Sequence, residues 1–286
     1  MKSDRRNCDL SFSNLCSWRF LYDTQYAVID NFLVFKFWAG EQLAYMMPVG
    51  SGDLKAILRE LIEDADKEKH NFCMLGVCSN MRADLEAILP GQFTFTENRD
   101  YADYIYLRSD LATLKGKKFQ AKRNHINRFR NTYPDYEYTP ITPDRIQECL
   151  DLEAEWCKVN NCDQQEGTGN ERRALIYALH NFEALGLTGG ILHVNGKIVA
   201  FTFGMPINHE TFGVHVEKAD TNIDGAYAMI NNEFANHIPE QYIYINREED
   251  LGLEGLRKAK LSYQPVTILE KYMACLKDDP MDKIRW

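Results

Sequence analysis

The sequence predicts an α/β protein, α+β in detail, built from two similar units in tandem, each a mixed twisted sheet with flanking helices. Two observations lead to this prediction. Of its 286 residues, 45% are hydrophobic and 12% aromatic, which is enough to bury a sizeable core. A predicted order of three strands, helix, strand, helix and strand occurs twice, about 170 residues apart. That order is typical of mixed sheets covered by helices.

Hydrophobic periodicity places the elements of the first half. Short apolar runs predict strands at 26–29, 32–38, 43–47 and 72–77, and an aromatic-rich strand near 104–107. Leu54, Ile57, Leu58, Leu61, Ile62 and Ala65 follow helical spacing and predict a helix over 53–70. The loop before it, 49–53, is interpreted as a helix cap at Asp53. A second helix, 80–89, stops at Pro90.

The second half repeats this order. Thr142-Pro143 opens one helix and 170–185 forms the next. Asn195-Gly196 predicts a hairpin turn between strands at 187–194 and 197–205, followed by a strand at 211–217. Then come helix 226–237, strand 242–246, helix 251–261 and strand 266–272. The predicted division is an N-terminal unit (1–110), a basic connecting helix (111–135) and a C-terminal unit (136–286).

Composition excludes several classes of protein. No apolar run approaches the ~18 residues of a membrane-spanning helix, and the N-terminus lacks an apolar signal core, so we expect a cytoplasmic protein without stable membrane insertion. The net charge of −9 argues against general coating of nucleic acid. The eight cysteines form no C-x-x-C pair, so we expect buried, reduced thiols and no metal site.

One segment is strongly basic. Residues 115–130 carry seven Lys or Arg and no acid. A solvated linker helix would explain this, and so would recognition of phosphate or carboxylate groups, with Asn124 and Arg128 as further contacts. On a helix, Arg123 shares the face of Phe119 and Ile126, so it needs an anionic partner, either a ligand or a structural carboxylate.

The element order is similar to the GNAT (acyl-CoA N-acyltransferase) fold, whose helix after the three-strand meander receives a pyrophosphate at its N-terminus. In this chain that position is 215–227, where Gly225 stands beside Asp220 and Asp224. The helix N-terminus favours an anion, but the two carboxylates repel one. Asp224 is a candidate anion-site residue or a helix N-cap, and Tyr227 is a further candidate contact. Glu217 is either a general base or an ion-pair partner.

A third candidate segment, 244–260, leaves a buried strand at the open end of the sheet and enters a helix, where ligands of open α/β sheets bind. Asp250 is a candidate catalytic residue. The alternative is a charged loop with a helix cap. The candidate substrate or anion contacts here are Asn246, Arg247, Arg257 and Lys258.

Three stretches resemble a bacterial family of uncharacterised proteins that is itself similar to the C-terminal domain of phosphatidylglycerol lysyltransferase. They are Lys117-Lys-Phe-Gln-Ala-Lys-Arg-Asn-His-Ile-Asn-Arg-Phe129, the run from Asn246 to Lys260, and Tyr263-Gln-Pro-Val266. The resemblance implies two tandem GNAT units and chemistry related to tRNA-dependent aminoacyl transferases.

The expected function is therefore transfer of an activated acyl or aminoacyl group to an amine or hydroxyl. No cofactor is firmly indicated. Aminoacyl-tRNA, bound through the basic helix, is the favoured donor and acetyl-CoA the less favoured one, and anionic lipid is a candidate for peripheral contact. The alternatives are a CoA-dependent N-acetyltransferase and a catalytically silent module that binds an anion.

Overall fold

The structure, a computed structural model, describes residues 5–160, 162 and 166–277. The strands are β1 (Gln25–Ile29), β2 (Phe32–Ala39), β3 (Gln42–Tyr45), β4 (Val49–Gly50), β5 (Cys73–Val77), β6 (Phe93–Glu97), β7 (Asp103–Leu107), β8 (Glu137–Pro140), β9 (Thr188–Val194), β10 (Lys197–Pro206), β11 (Thr211–Ala219), β12 (Tyr244–Asn246), β13 (Thr267–Leu269) and β14 (Tyr272–Leu276). The helices are α1 (Phe12–Ser17), α2 (Arg19–Tyr22), α3 (Leu54–Lys67), α4 (Ser79–Ile88), α5 (Arg108–Thr113), α6 (Gln120–Thr132), α7 (Ile146–Asn160), α8 (Glu166–His180), α9 (Ala226–His237) and α10 (Glu254–Leu261).

The strands form two mixed sheets of the same design. The first has the order β1-β2-β3-β5-β14-β6, with β4 beside β2, and the second has the order β13-β7-β12-β11-β10-β9-β8. In each, an antiparallel meander (β1 to β3, or β9 to β11) is followed by one parallel neighbour, β5 or β12. This confirms the predicted α/β architecture of two tandem GNAT-like units.

The two units exchange one strand each. The C-terminal strand β14 lies between β5 and β6 of the first sheet, and β7 lies between β12 and β13 of the second. The prediction of one strand over 266–272 is therefore wrong, because β13 and β14 belong to different sheets. The predicted unit boundaries at residues 110 and 135 remain a prediction. Each sheet contains one strand from the other side of these boundaries.

A disulfide fastens one exchanged strand. Cys73 on β5 and Cys275 on β14 are directly opposite each other in the antiparallel register, and their sulfur atoms are bonded. The expectation of reduced thiols is wrong for this pair, because sequence spacing gives no sign that residues 202 positions apart are neighbours. Cys8, Cys16, Cys78, Cys149, Cys157 and Cys162 carry free thiols.

Helices cover the sheets through the faces that periodicity predicts. The buried residues of α3 are Ile57, Leu58, Leu61, Ile62 and Ala65, and the Asp53 carboxylate caps this helix by accepting from the backbone N–H of Ala56 at 3.1 Å. The basic helix α6 is packed rather than free. Its Ile126 and Phe129 join the core formed with α9 and the second sheet. In the part of the chain that the structure describes, no helix has the length and apolarity needed to cross a membrane.

Candidate active site in the second unit

The second sheet splits beside the end of β12. Strands β11 and β12 pair in parallel only over 211–213 and 244–246, whereas β11 continues to Ala219. Glu217 lies on the part of β11 that pairs with β10 but no longer with β12, and Arg247 is the first residue after β12. The two strands therefore separate at their carboxyl ends, which is the edge where ligands of open α/β sheets bind.

An ion pair spans this opening. Arg247 donates from Nη2 to Glu217 Oε1 at 2.9 Å, and Asn231 of α9 donates from Nδ2 to Glu217 Oε2 at 3.1 Å. The side chains of Arg247 and Glu217 are only 12% and 13% exposed. The sequence placed both residues among the site candidates, and the structure brings them together.

A lysine and a tyrosine complete the arrangement. The ring of Tyr263 lies 3.9 Å from Lys122 Nζ and 4.9 Å from the Arg247 guanidinium carbon. Burial and the positive charge of Arg247 lower the pKa of Lys122 to about 8, against the opposing effect of Glu217. Near neutral pH, part of this amine is therefore uncharged. We call Lys122, Glu217, Asn231, Arg247 and Tyr263 the cleft cluster.

The cleft cluster has unused hydrogen-bonding groups. Among the described residues, Arg247 Nη1 and Asn231 Oδ1 are buried without a partner. Buried polar atoms in folded proteins are nearly always paired, so an unpaired donor and acceptor beside one ion pair mark a place where a ligand can supply the missing bonds. Chemically, the cluster offers a carboxylate, a guanidinium and a partly neutral amine.

The N-terminus of α9, where the GNAT resemblance places a pyrophosphate, is in contact with α6. Asp224 forms an ion pair with Arg128 of α6 and lies 3.6 Å from His125 Nδ1 of the same helix, and Arg128 is the main cause that keeps the pKa of Asp224 below its usual range. Gly225, at a φ of 85°, is the N-cap, so the prediction of Asp224 as the cap is wrong. A Cβ at residue 225 would lie 2.7 Å from the carbonyl oxygen of His125, so α6 contacts this terminus directly.

Arg123 is occupied by the backbone. Its guanidinium donates to the carbonyl oxygens of Leu114 and Gly116 and to the side-chain oxygen of Gln120. It thereby joins the end of α5 to α6, so its partners in the structure are neutral oxygens rather than the predicted anionic ligand or structural carboxylate. Asn124 is exposed and accepts a hydrogen bond from Gln120 at 2.8 Å.

The loop after β12 is a structural network. Asp250 is fully buried and accepts from Arg257 at 2.8 Å through both carboxylate oxygens, from the Tyr104 hydroxyl at 2.5 Å and from the backbone N–H of Gly252 at 2.9 Å. Although burial opposes the charge, these hydrogen bonds hold the pKa of Asp250 below its usual range. A carboxylate held this way is a weak base, so the geometry favours a structural role over the predicted catalytic one.

The remaining candidates lie apart from the ion pair. Asn246 is fully buried and donates to the carbonyl oxygen of Arg6 and to Asp103, each at 2.7 Å. Lys258 is exposed on α10. The Tyr227 hydroxyl accepts a hydrogen bond from the indole nitrogen of Trp156 on α7 at 3.1 Å, which joins α7 to the start of α9. Sequence reasoning missed Asn231, Lys122 and Tyr263 as site residues.

Comparison with known proteins decides the family. The family model described as "Phosphatidylglycerol lysyltransferase, C-terminal" matches residues 1–275. The chain belongs to this family. A crystal structure of a conserved protein of unknown function from Bacteroides thetaiotaomicron VPI-5482 is 95% identical, with a TM-score of 0.95 over 97% of this chain and 94% of that one.

Two solved structures of low sequence identity share the fold, and one curated protein is similar in sequence. The C-terminal domain of a lysylphosphatidylglycerol synthetase described as putative, from Agrobacterium fabrum, is 13% identical with a TM-score of 0.71, over 96% of this chain and 88% of that one. L-PGS from Bacillus licheniformis is 17% identical with a TM-score of 0.64, over 98% and 96%. An uncharacterised protein of Mycoplasmoides gallisepticum is 26% identical over 175 residues, which are 60% of this chain and 55% of that protein. The chain thus spans about half the length of this curated relative.

Proposed function

We propose that this chain is a tRNA-dependent aminoacyl transferase whose reaction takes place at the cleft cluster. The observation that carries the proposal is the Glu217–Arg247 ion pair across the split of the second sheet, with Arg247 Nη1 left without a partner among the described residues. The family's name describes lysyl transfer to phosphatidylglycerol. Lysine-charged tRNA and phosphatidylglycerol are therefore the first donor and acceptor to test.

The reaction needs alignment and charge stabilisation rather than a protein nucleophile, because the aminoacyl ester is already activated. The acceptor hydroxyl or amine attacks the ester carbonyl, forming the new acyl bond, and the bond to the ribose oxygen of the tRNA breaks. Glu217 accepts the acceptor's proton and returns it to that oxygen. Arg247 donates through Nη1 to the oxyanion that develops on the carbonyl oxygen.

The first expected result concerns these two residues. Glu217→Gln and Arg247→Lys should each lower the transfer rate about 100-fold, because one removes the base and the other the planar donor aimed at the oxyanion. The assay measures radiolabelled lysine moving from charged tRNA to vesicles containing phosphatidylglycerol, with a melting curve for each variant. Glu155→Gln and Lys197→Gln, at exposed positions on α7 and the β9–β10 hairpin, are the matched controls.

Three outcomes would contradict the proposal. Unchanged transfer by both variants would remove the cleft cluster from the reaction. Transfer from acetyl-CoA but from no charged tRNA would support the acetyltransferase alternative. Tight binding of charged tRNA without transfer to any amine or hydroxyl acceptor would support the silent binding module.

The second expected result is that acetyl-CoA does not bind at the N-terminus of α9. The carbonyl oxygen of His125 lies against Gly225, and the negative charge of Asp224 beside this terminus repels a pyrophosphate. Isothermal titration should give no saturable heat at high micromolar acetyl-CoA. Asp224→Asn should not restore binding, because α6 still covers Gly225. A micromolar dissociation constant, equivalent to ~8 kcal/mol, would show that a formed site exists after all.

A further inference from the structure

A carboxylate and two thiols meet near the end of α7, outside the cleft cluster. Glu153 and Cys157 are one helical turn apart, and Cys162 follows the helix. One ligand atom from each side chain lies within 4.8 Å of the other two. The three residues are 1%, 4% and 1% exposed, so the group is withdrawn from solvent.

We propose that Glu153, Cys157 and Cys162 bind a zinc ion. Zinc takes thiolate sulfur at ~2.3 Å and carboxylate oxygen at ~2.0–2.2 Å, so ligand atoms around one tetrahedral ion are roughly 3.5–4 Å apart. Because the three ligand atoms lie within 4.8 Å of one another, binding needs only a small contraction. Inspection of the sequence for C-x-x-C pairs missed this arrangement, because the two cysteines are five positions apart and the third ligand is a glutamate.

The surrounding charges fit a bound zinc ion. Two thiolates and a carboxylate carry three negative charges, and zinc returns two positive ones. Arg172 donates to Glu153 at 3.1 Å and supplies a further positive charge. Because zinc binds thiolates, binding releases the thiol protons, and affinity rises with pH.

A zinc ion at this site would stabilise the end of α7 and would take no part in aminoacyl transfer. Trp156 lies between the two ligands of α7 in sequence and donates to Tyr227. An ion shared by α7 and Cys162 would hold this end of the helix in place. The inference stands whether or not the chain transfers aminoacyl groups.

The test measures metal in the intact, reduced protein. After equilibration with zinc chloride and dialysis, mass spectrometry of the metal should find about one zinc per chain. Replacement by cobalt should give thiolate-to-cobalt charge-transfer absorption in the near ultraviolet. Cys157→Ser combined with Cys162→Ser should abolish both signals. Cys149→Ser, which removes another buried thiol of α7, should leave them unchanged.

Wild-type protein that retains no zinc after reduction would overturn the proposal, whatever the variants do. Retention of zinc by the double variant, shown to be folded by circular dichroism, would also overturn it. If the double variant does not fold, the zinc content and cobalt spectrum of the wild type decide. A Cys157–Cys162 disulfide with no zinc binding after its reduction would assign the two thiols to redox chemistry instead.

Discussion

Replacing Lys271 by methionine should destabilise the protein more than any other single change in its charged network. The Lys271 ammonium is 3% exposed and contacts Asp9 at 2.9 Å, Asp103 at 2.7 Å and Glu249 at 2.8 Å. Lys271 stands between β13 and β14, and Asp103 begins β7. The Lys271 ammonium therefore links the starts of the two exchanged strands, β7 and β14. Its contact with Asp9 ties the N-terminal segment to the same place.

Lys271→Met should lower the free energy of unfolding by about 3–5 kcal/mol, because it leaves buried carboxylates without their counter-ion. For a chain of this size, the melting temperature should fall by roughly 10 °C. Calorimetry at pH 7.5 measures this change. Lys277→Met is the matched control, because among the described residues its ammonium donates only to the exposed Gly91 carbonyl, and it should change stability by about 0.5 kcal/mol or less.

The defect should depend on pH with a definite sign. Burial raises the pKa of Glu249 to about 7, although Lys271 opposes this. A carboxyl whose pKa is raised on folding binds more protons in the folded state, so its contribution to stability falls as pH rises through the window up to that pKa. Without Lys271 the pKa of Glu249 rises further, so the pH range over which Glu249 destabilises the fold extends to higher pH. The difference between variant and wild type should therefore be largest above pH 7 and shrink towards pH 5.5.

A double variant separates this explanation from simple loss of packing. Asp103→Asn removes one of the carboxylates left unpaired in Lys271→Met, so the double variant should be more stable than Lys271→Met alone. If the losses of unfolding free energy of the two single variants simply add in the double variant, charge is not the cause. The same conclusion follows if the destabilisation by Lys271→Met grows as the pH falls.

The strand exchange marks the limit of what periodicity predicts about the fold. The hydrophobic pattern predicts one strand over 266–272, where the structure has β13 and the first residue of β14, but the pattern does not say which sheet a strand joins. That choice depends on Lys271 meeting Asp103 and on Cys275 facing Cys73, contacts between residues far apart in the chain. Helix α9, by contrast, begins and ends at the predicted residues, because its pattern is local.

In the candidate site too, positions that follow from element order could be predicted, whereas contacts between distant residues could not. Glu217 and Arg247 could be predicted because each lies at or near the end of a strand beside the split, a position that follows from element order. Lys122 was missed, although it lies three residues after Phe119 and four before Ile126 on one face of α6, because only the packing of that helix shows that this face brings it over Tyr263. Asp250 is a carboxylate at the sheet edge where a catalytic residue was predicted. The hydrogen bonds that it accepts from Arg257 and Tyr104 nevertheless give it a structural role.

Asp250→Asn tests that last distinction, between a structural and a catalytic carboxylate. Asparagine loses the charge that Arg257 pairs with and presents an NH2 group to neighbours that are themselves donors. The free energy of unfolding should fall by about 3 kcal/mol in denaturant titrations, as for other buried pairs that lose one partner. Glu254→Gln, at an exposed position of α10, should stay within about 0.5 kcal/mol of the wild type.

The pH dependence and the transfer assay make this test decisive. Because the pKa of Asp250 is lowered on folding, its stabilisation is complete above the unfolded value of about 4 and is lost as pH falls below it. The stability gap between wild type and Asp250→Asn should therefore be constant near neutral pH and narrow below pH 4. If Asp250 is structural, the aminoacyl-transfer rate per folded molecule should stay close to that of the wild type, whereas Glu217→Gln loses it. A variant as stable as the wild type but without transfer would return Asp250 to the catalytic role that its position in the sequence predicts.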